Sequence, residues 1–161
     1  QLAIPVFANG DITTPQAALQ AMVHTKADAV MVGRGALGQP WVLGQMAAAI
    51  HAQSSPGLAT TVTAMPTPAL ADIIQLMTKH LRHLHDFYGL EQGVRFARKH
   101  MGWYLEQQGL LEAKRLFNRL PCANTQLDAL ALLQQLNDAY QVGELPQVFA
   151  SALANSRLEV A

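Results

Sequence analysis

The chain of 161 residues is 50% hydrophobic and only 14% charged, which excludes the disordered class and allows one domain or two small ones. Eleven Lys and Arg balance eleven Asp and Glu, so no global attraction to nucleic acid or an anionic membrane follows. The single cysteine, Cys122, excludes an internal disulfide and suits a reducing compartment. With no uninterrupted apolar run of about 18 residues, no membrane-spanning helix is expected. The first residues lack Met and a signal-peptide pattern and enter a strand at once, so a piece of a longer chain is expected.

In chain order, residues 3–8 (AIPVFA) form a short apolar run that predicts a strand buried on both faces. It stops in Asn9-Gly10-Asp11. Asn-Gly is a common hairpin signal, but a hairpin needs a second strand next, and the sequence supplies a helix start instead. Thr14 is a natural N-cap with Pro15 at the first helical position, and Ala18, Leu19, Met22 and Val23 then recur at helical spacing. A second apolar run, Ala29–Val32, ends in Gly33-Arg34-Gly35. After Gly38-Gln39-Pro40-Trp41 another helix is predicted through about Ala52. Strand, loop, helix, repeated, is the signature of parallel βα units.

Residues 53–68 carry three prolines and several small polar residues and are predicted as a linker, leaving 1–52 as an α/β region. Beyond it the pattern is wholly helical. Helices are predicted at about 69–87, 91–108, 110–119 and 124–140, broken at Gly89, Gly109 and Pro121, which suits a small bundle over 69–140. The tail, 141–161, is weakly patterned and no role is assigned to it.

Gly-rich loops at the carboxyl ends of two parallel strands suit either a doubly wound sheet or a (β/α)8 barrel, whose last loops often bind phosphate. Gly10, Gly33 and Gly35 are expected to let the backbone approach a ligand closely and to allow positive φ. A helix opening at about Ala36 would turn N–H groups toward an anion, and Arg34 would add a forked cation. The ligand class this implies is phosphate-bearing, such as a nucleotide.

The zero net charge hides an uneven distribution. Eight of the eleven cations lie between Lys79 and Arg119, against four acids there (Asp86, Glu91, Glu106 and Glu112), so this helical region is net positive and the remainder net negative. Such a footprint suits a polyanion. Its densest stretch is residues 93–105, GVRFARKHMGWYL. Helical spacing places Val94, Ala97, Met101, Tyr104 and Leu105 on one seam, the predicted core. Arg95, Arg98 and Lys99 fall on an adjoining sector with Gly102, and Phe96, His100 and Trp103 on a third. Cations track phosphates while rings stack on exposed bases, although the same sectors also describe an ordinary solvated helix. Gly102 is unfavourable inside a helix and would be explained by close approach of RNA or another helix. His80, His83 and His85 are expected as helix-surface histidines without a metal, since no further ligand completes a set. Cys122, after Pro121, is expected in an inter-helix turn as a structural thiol.

ANGDI at 8–12, GRGALGQPW at 33–41, HDFYG at 85–89 and RFARKHMGWYL at 95–105 together closely resemble the bacterial tRNA-dihydrouridine synthases of the B type, over roughly residues 1–135. The resemblance implies an FMN-holding (β/α)8 TIM barrel, of which residues 1–52 would be the last two βα units, followed by a helical tRNA-binding domain. It implies NADPH-dependent reduction of the C5–C6 bond of specific uridines in tRNA. Asn9, Gly10, Asp11, Gly33 and Arg34 would line the FMN site, and Arg95, Arg98, Lys99, His100 and Trp103 would meet tRNA, with Tyr104 packing the bundle. The family's catalytic cysteine and its flavin-contacting lysine belong to earlier barrel loops, so no catalytic residue is assigned here and Cys122 does not take that role. A cytoplasmic monomer at full length, with no membrane and no metal, is expected.

Two positions depart from the family pattern. Gln39 stands where a basic residue is common, and Gly35 where Ala is frequent; neither is expected to threaten the phosphate site. Two other readings remain at this point. The 161 residues could act only as an RNA-binding helical module without activity, or the loops could belong to another phosphate-binding flavin barrel enzyme, which would leave the basic region unexplained.

Overall fold

A computed structural model describes residues 3–54, 65–119 and 125–143. Most of the expected linker, Cys122 and residues 144–161 of the tail lie outside the described residues. The chain divides into two compact units, Gln1–Thr67 and Pro68–Ala161.

The first unit runs β1 (Phe7–Asn9), α1 (Pro15–Thr25), β2 (Ala29–Met31), a single 3-10 turn (Arg34–Ala36) and α2 (Val42–Ser54). The strands are parallel, with Phe7 opposite Ala29, Ala8 opposite Val30 and Asn9 opposite Met31. Asp28 sets that register. Its carboxylate Oδ2 accepts a hydrogen bond from the Val6 N–H at 2.8 Å, and its own N–H donates to the Val6 carbonyl at 2.8 Å. Helix α1 starts as its sequence dictates: the Thr14 hydroxyl accepts from the Ala17 N–H at 3.1 Å, with Pro15 at the position that needs no donor. It ends on Lys26 in the left-handed region, φ 54°, whose N–H reaches the Met22 carbonyl. Ile12, Ala18, Val42 and Met46 form the buried cluster between the two helices and the strand ends.

The expectation of a strand over 3–8 is corrected in length, and its burial on both faces is not met within these 161 residues. The strand is three residues long, and Phe7 is 62% exposed, with Ile4, Val6 and Met31 also exposed. An apolar run is buried only by what lies on its edges and faces, and β1 has β2 on one edge and α1 nearby.

The second unit is helical: α3 (Leu70–Gln107), α4 (Leu111–Arg119) and α5 (Thr125–Gln141). Helix α3 is interrupted at Gly89, φ 74° and ψ 179°, a region open essentially to glycine alone. The segments on either side fold back along each other. The His80 ring meets the rings of His100 and Tyr104, and Gly93 lies against the backbone of His85. The long element is thus a helical hairpin, as the predicted break at Gly89 requires. A Cβ on Gly93 would stand 2.9 Å from the His85 Cα and 3.1 Å from the Leu84 carbonyl oxygen, so glycine there permits the contact.

The reversal into α4 uses a Schellman closure. Gly109 takes φ 71°, its N–H bonds the Glu106 carbonyl at 3.0 Å, and the Leu110 N–H bonds the Leu105 carbonyl at 2.8 Å. Lys114 Nζ ties α4 back to Glu106 at 2.7 Å. Both α4 and α5 pack on α3. The predicted seam is the observed core: Val94, Ala97, Met101, Tyr104 and Leu105 are all buried, joined by Phe117 from α4 and Leu133 and Leu136 from α5.

Replacing Gly89 with Ala is expected to destabilise the helical unit by about 1–3 kcal/mol. Urea unfolding followed by far-UV circular dichroism would measure it; an unchanged midpoint would show that the reversal tolerates a side chain.

Candidate functional site

Because β1 and β2 run parallel in register, their carboxyl ends deliver two loops to the same place. Asn9, Gly10, Asp11 and Ile12 from the first, with Gly33, Arg34 and Gly35 from the second, line a cavity of about 440 Å³. All five residues predicted for the cofactor rim stand around this one space. A Cβ added to Gly10 or Gly33 would meet nothing within 4 Å, so the backbone there faces open room for a ligand. Arg34 Nη2 donates to Asp11 Oδ1 at 2.8 Å, and both side chains are exposed. An exposed pair of this kind contributes little stability. Its effect is to hold the guanidinium beside the cavity while leaving it open to exchange with another anion.

Two expectations about these loops are corrected. None of Gly10, Gly33 and Gly35 has positive φ; the nearby glycine that does is Gly38, at 75°. No helix opens at Ala36 either. The Arg34–Ala36 stretch is one 3-10 turn, in which the Ala36 N–H is bonded to the Gly33 carbonyl at 3.2 Å and the Leu37 N–H to the Arg34 carbonyl at 3.1 Å. The Ala36 and Leu37 N–H groups are spent inside the turn, so neither is offered to the cavity. Arg34 carries the positive charge of the rim.

Gln39 and Gly35 both have structural work. The Gln39 amide donates from Nε2 to the Gly35 carbonyl at 3.0 Å, bracing the second loop. Gly35 is the point where the loops touch: a Cβ would be driven into the Ile12 carbonyl oxygen and would sit 3.0 Å from the Thr13 Cα. The signal in the sequence was glycine itself, which permits close backbone approach without naming what approaches.

In the helical unit the predicted cations and rings share the second segment of α3. Arg95 and Lys99 are exposed, and Arg98, His100 and Trp103 are half-buried. Lys99 Nζ lies 5.2 Å from the centre of the Trp103 ring, within cation–π range. His100 meets Trp103 edge-on at 5.0 Å and His80 at 4.8 Å between ring centres. Tyr104 Oη is 3.4 Å from His80 Nδ1. Gly102 is buried beneath the Lys114 side chain of α4, where a Cβ would stand 3.8 Å from Lys114 Cε, in ordinary contact. The neighbouring helix therefore occupies the space at Gly102.

The expectation of three surface histidines is corrected as well. His83 is exposed, but His80 is half-buried in the ring cluster, and His85 is only 5% exposed with neither ring nitrogen hydrogen-bonded. The hairpin covers them, which periodicity on one helix cannot foresee. Burial lowers the pKa of His80 and His100, reinforced by the like charge of His83 on the first, and by that of His80 and Lys99 on the second. Burial also lowers that of His85, opposed by the Asp86 carboxylate. Burial raises the Tyr104 phenol. Lys79, Arg82 and His83, absent from the predicted interface, line a separate cleft of about 780 Å³ between α3 and α5, together with Asp86. Among the described residues no group of three or more His, Cys, Asp or Glu could hold a metal ion, and no helix is long and apolar enough to cross a membrane.

A family model described as "Dihydrouridine synthase (Dus)" matches residues 1–141. The chain is similar to proteins named tRNA-dihydrouridine synthase B. That of Xanthomonas campestris pv. campestris is 41% identical over 152 residues, covering 94% of this chain and 42% of the relative. That of Proteus vulgaris is 40% identical over 130 residues, covering 80% and 38%. That of Escherichia coli K12 is 40% identical over 131 residues, covering 81% and 38%. The chain spans about two fifths of the length of the curated relatives it matches.

Gly35→Ala is expected to push the two loops apart and destabilise the first unit by about 1–3 kcal/mol, read by urea unfolding; a neutral result would mean that Ile12 and Thr13 yield freely. The buried histidines give a pH dependence of definite sign. A folded pKa below the ordinary 6.5 means the unfolded chain binds more protons. The stability these neutral rings permit is therefore present above pH 6.5 and lost as the pH falls through the folded values. Unfolding midpoints should drop between pH 7 and pH 5, and His85→Leu should flatten that drop.

Proposed function

The chain belongs to the dihydrouridine synthase family, and on that premise we propose that it is part of a tRNA-dihydrouridine synthase of the B type, reducing specific uridines in tRNA to 5,6-dihydrouridine. Residues 1–52 form the last two βα units of a (β/α)8 barrel in this reading, 53–68 join the domains, and 69–140 form the tRNA-binding domain. The observation that carries it is the convergence of Asn9–Asp11 and Gly33–Gly35 on one cavity, with open space before Gly10 and Gly33 and a guanidinium on its edge.

That rim fits the phosphate end of FMN. Bound FMN supplies the hydride chemistry for the uracil ring, with NADPH as the source of reducing equivalents. Arg34 offers its forked donors to the phosphate oxygens, while Asp11 holds one end of the guanidinium. The glycine backbone at positions 10 and 33 lets the phosphate come close, and Asn9 lines the same wall. Gln39 and Gly35 keep the second loop at its distance from the first. None of these residues transfers the proton to the uracil ring; that acid belongs to a different loop of the whole enzyme.

Arg95, Arg98 and Lys99 contact tRNA phosphates in this reading, and His100 and Trp103 add ring faces. A target uridine must leave its stack to reach a flavin in a barrel mouth. Phosphate contacts on the helical domain offset part of that unstacking cost. The whole enzyme would act as a cytoplasmic monomer, where its tRNA substrate is found. The alternative of a flavin barrel enzyme with no RNA substrate leaves the basic face without a partner.

A gel shift with unmodified tRNA is expected to show binding by the 161-residue chain that weakens steeply with salt. Arg95→Glu and Lys99→Glu should each weaken it by about tenfold or more and lower the salt slope by about one. With FMN and NADPH added, these 161 residues alone should form no dihydrouridine. Unaltered binding by both variants would sink the assignment of this face to tRNA, and turnover would sink the assignment of the acid to another loop.

A further inference from the structure

The most solvent-exposed large hydrophobic residue described in the helical unit is Phe87, at 81%. It stands two residues before the Gly89 reversal, and it is not alone. The Tyr88 ring meets it edge-on at 4.8 Å between centres, and Phe96, from the returning segment, lies 4.5 Å from Tyr88 at a tilt of 31°. Tyr88 and Phe96 are 41% and 42% exposed. The hairpin thus gathers three rings from both of its arms into one open cluster at its elbow. Phe87 and Tyr88 have no part in the tRNA face described above, and Phe96 entered it only as one ring of a helix sector.

An aromatic side chain buries a large apolar area when it is covered, and a phenylalanine has no polar tip to recommend it to water. What covers this cluster is indicated by its flank. On the helix, Phe96 is adjacent to Arg95 and one turn from Lys99, both exposed, and Lys99 in turn reaches the Trp103 ring. The rings therefore continue a row of cations and aromatic faces across the elbow. The acid nearest in sequence, Asp86, lines the α3–α5 cleft with Lys79, Arg82 and His83; Glu91, exposed, is the other acid at the turn. A partner that is flat and apolar on its faces and anionic along its backbone matches rings set beside cations. Unpaired RNA bases have that chemistry.

We propose that Phe87, Tyr88 and Phe96 form a stacking platform for unstacked bases of the RNA, continuous with the cationic row of α3. The proposal rests on the tRNA reading and extends it from phosphate contact to base contact. Stacking and charge differ in their signatures. Removing a ring lowers affinity for RNA with accessible bases and leaves the salt slope intact, whereas removing a cation lowers the slope. A fully paired duplex keeps its bases inside and should not register the loss of a ring.

The test uses the 161-residue chain with Phe87→Leu, Tyr88→Leu and the double variant, each checked for helix content by circular dichroism. Affinities are measured for unmodified tRNA and for a fully paired RNA duplex of similar length, across a salt series. Ring loss is expected to weaken tRNA binding at least about fivefold, with an unchanged salt slope and unchanged duplex binding. If Lys99→Glu weakens tRNA binding while the ring variants bind normally, the platform is overturned and the tRNA reading stands. If the unsubstituted chain fails to bind tRNA even at low salt, the tRNA reading falls and the platform with it. If ring loss abolishes self-association in sedimentation while tRNA affinity is intact, the cluster is a protein contact and the proposal is overturned.

Discussion

At Gly35 in the first unit and Gly93 in the second, the chain approaches a neighbouring backbone so closely that a Cβ has no room. This constraint is covalent in origin, since only glycine lacks the atom, and much else follows from where it is met. The Gly35 contact with the Ile12–Thr13 backbone fixes the distance between the two loops, and that distance gives the rim cavity its size. Gln39 reinforces it by holding the Gly35 carbonyl. The Gly93 contact with Leu84 and His85 lets the arms of the hairpin lie together, with Gly89 supplying the left-handed reversal between them.

Closing the hairpin has electrostatic consequences. It removes His85 from water without giving either ring nitrogen a partner, and it brings His80 against His100 and Tyr104. Neutral imidazoles tolerate this packing; charged ones would face both desolvation and each other. The same closure decides which ring faces solvent. Tyr104 goes to the core, Trp103 lies half-buried under Lys99, and Phe87 is turned outward at the elbow. A basic and aromatic face on a chain of zero net charge is therefore a product of folding together with local composition.

In the first unit the parallel register does comparable work. Asp28 clamps Val6 from both its main chain and its side chain, which aligns the strand ends and hence the loops that leave them. Arg34 and Asp11 are 23 positions apart in the chain and reach each other because of that alignment. In the proposed cofactor rim, charge comes from one side chain and access comes from glycine backbone. The 3-10 turn after Gly33 contributes shape, with its Ala36 N–H and the following Leu37 N–H bonded back into the turn.

Local chemistry was legible in the sequence. Thr14-Pro15 marked a helix start, Gly89 and Gly109 marked reversals, and helical spacing from Val94 to Leu105 separated the core seam from the cationic sector, because caps, left-handed turns and periodicity depend on residues a few positions apart. The order of strand and helix in the first unit was legible for the same reason. Contact between distant segments was not. His85 read as a surface residue yet lies inside, Gly35 read as a point of ligand approach yet meets the Ile12–Thr13 backbone, and Gln39 carried no expected role yet braces the second loop. Exposure, close backbone approach and the pairing of distant side chains are set by segments that meet only after folding. The sequence by itself determined which elements form, where they turn and which seam of the returning α3 segment is apolar, through short-range backbone energetics and periodicity; the tertiary structure alone decided which distant segments meet, and so that His85 is hidden and Phe87 is not, because such contacts belong to pairs of surfaces.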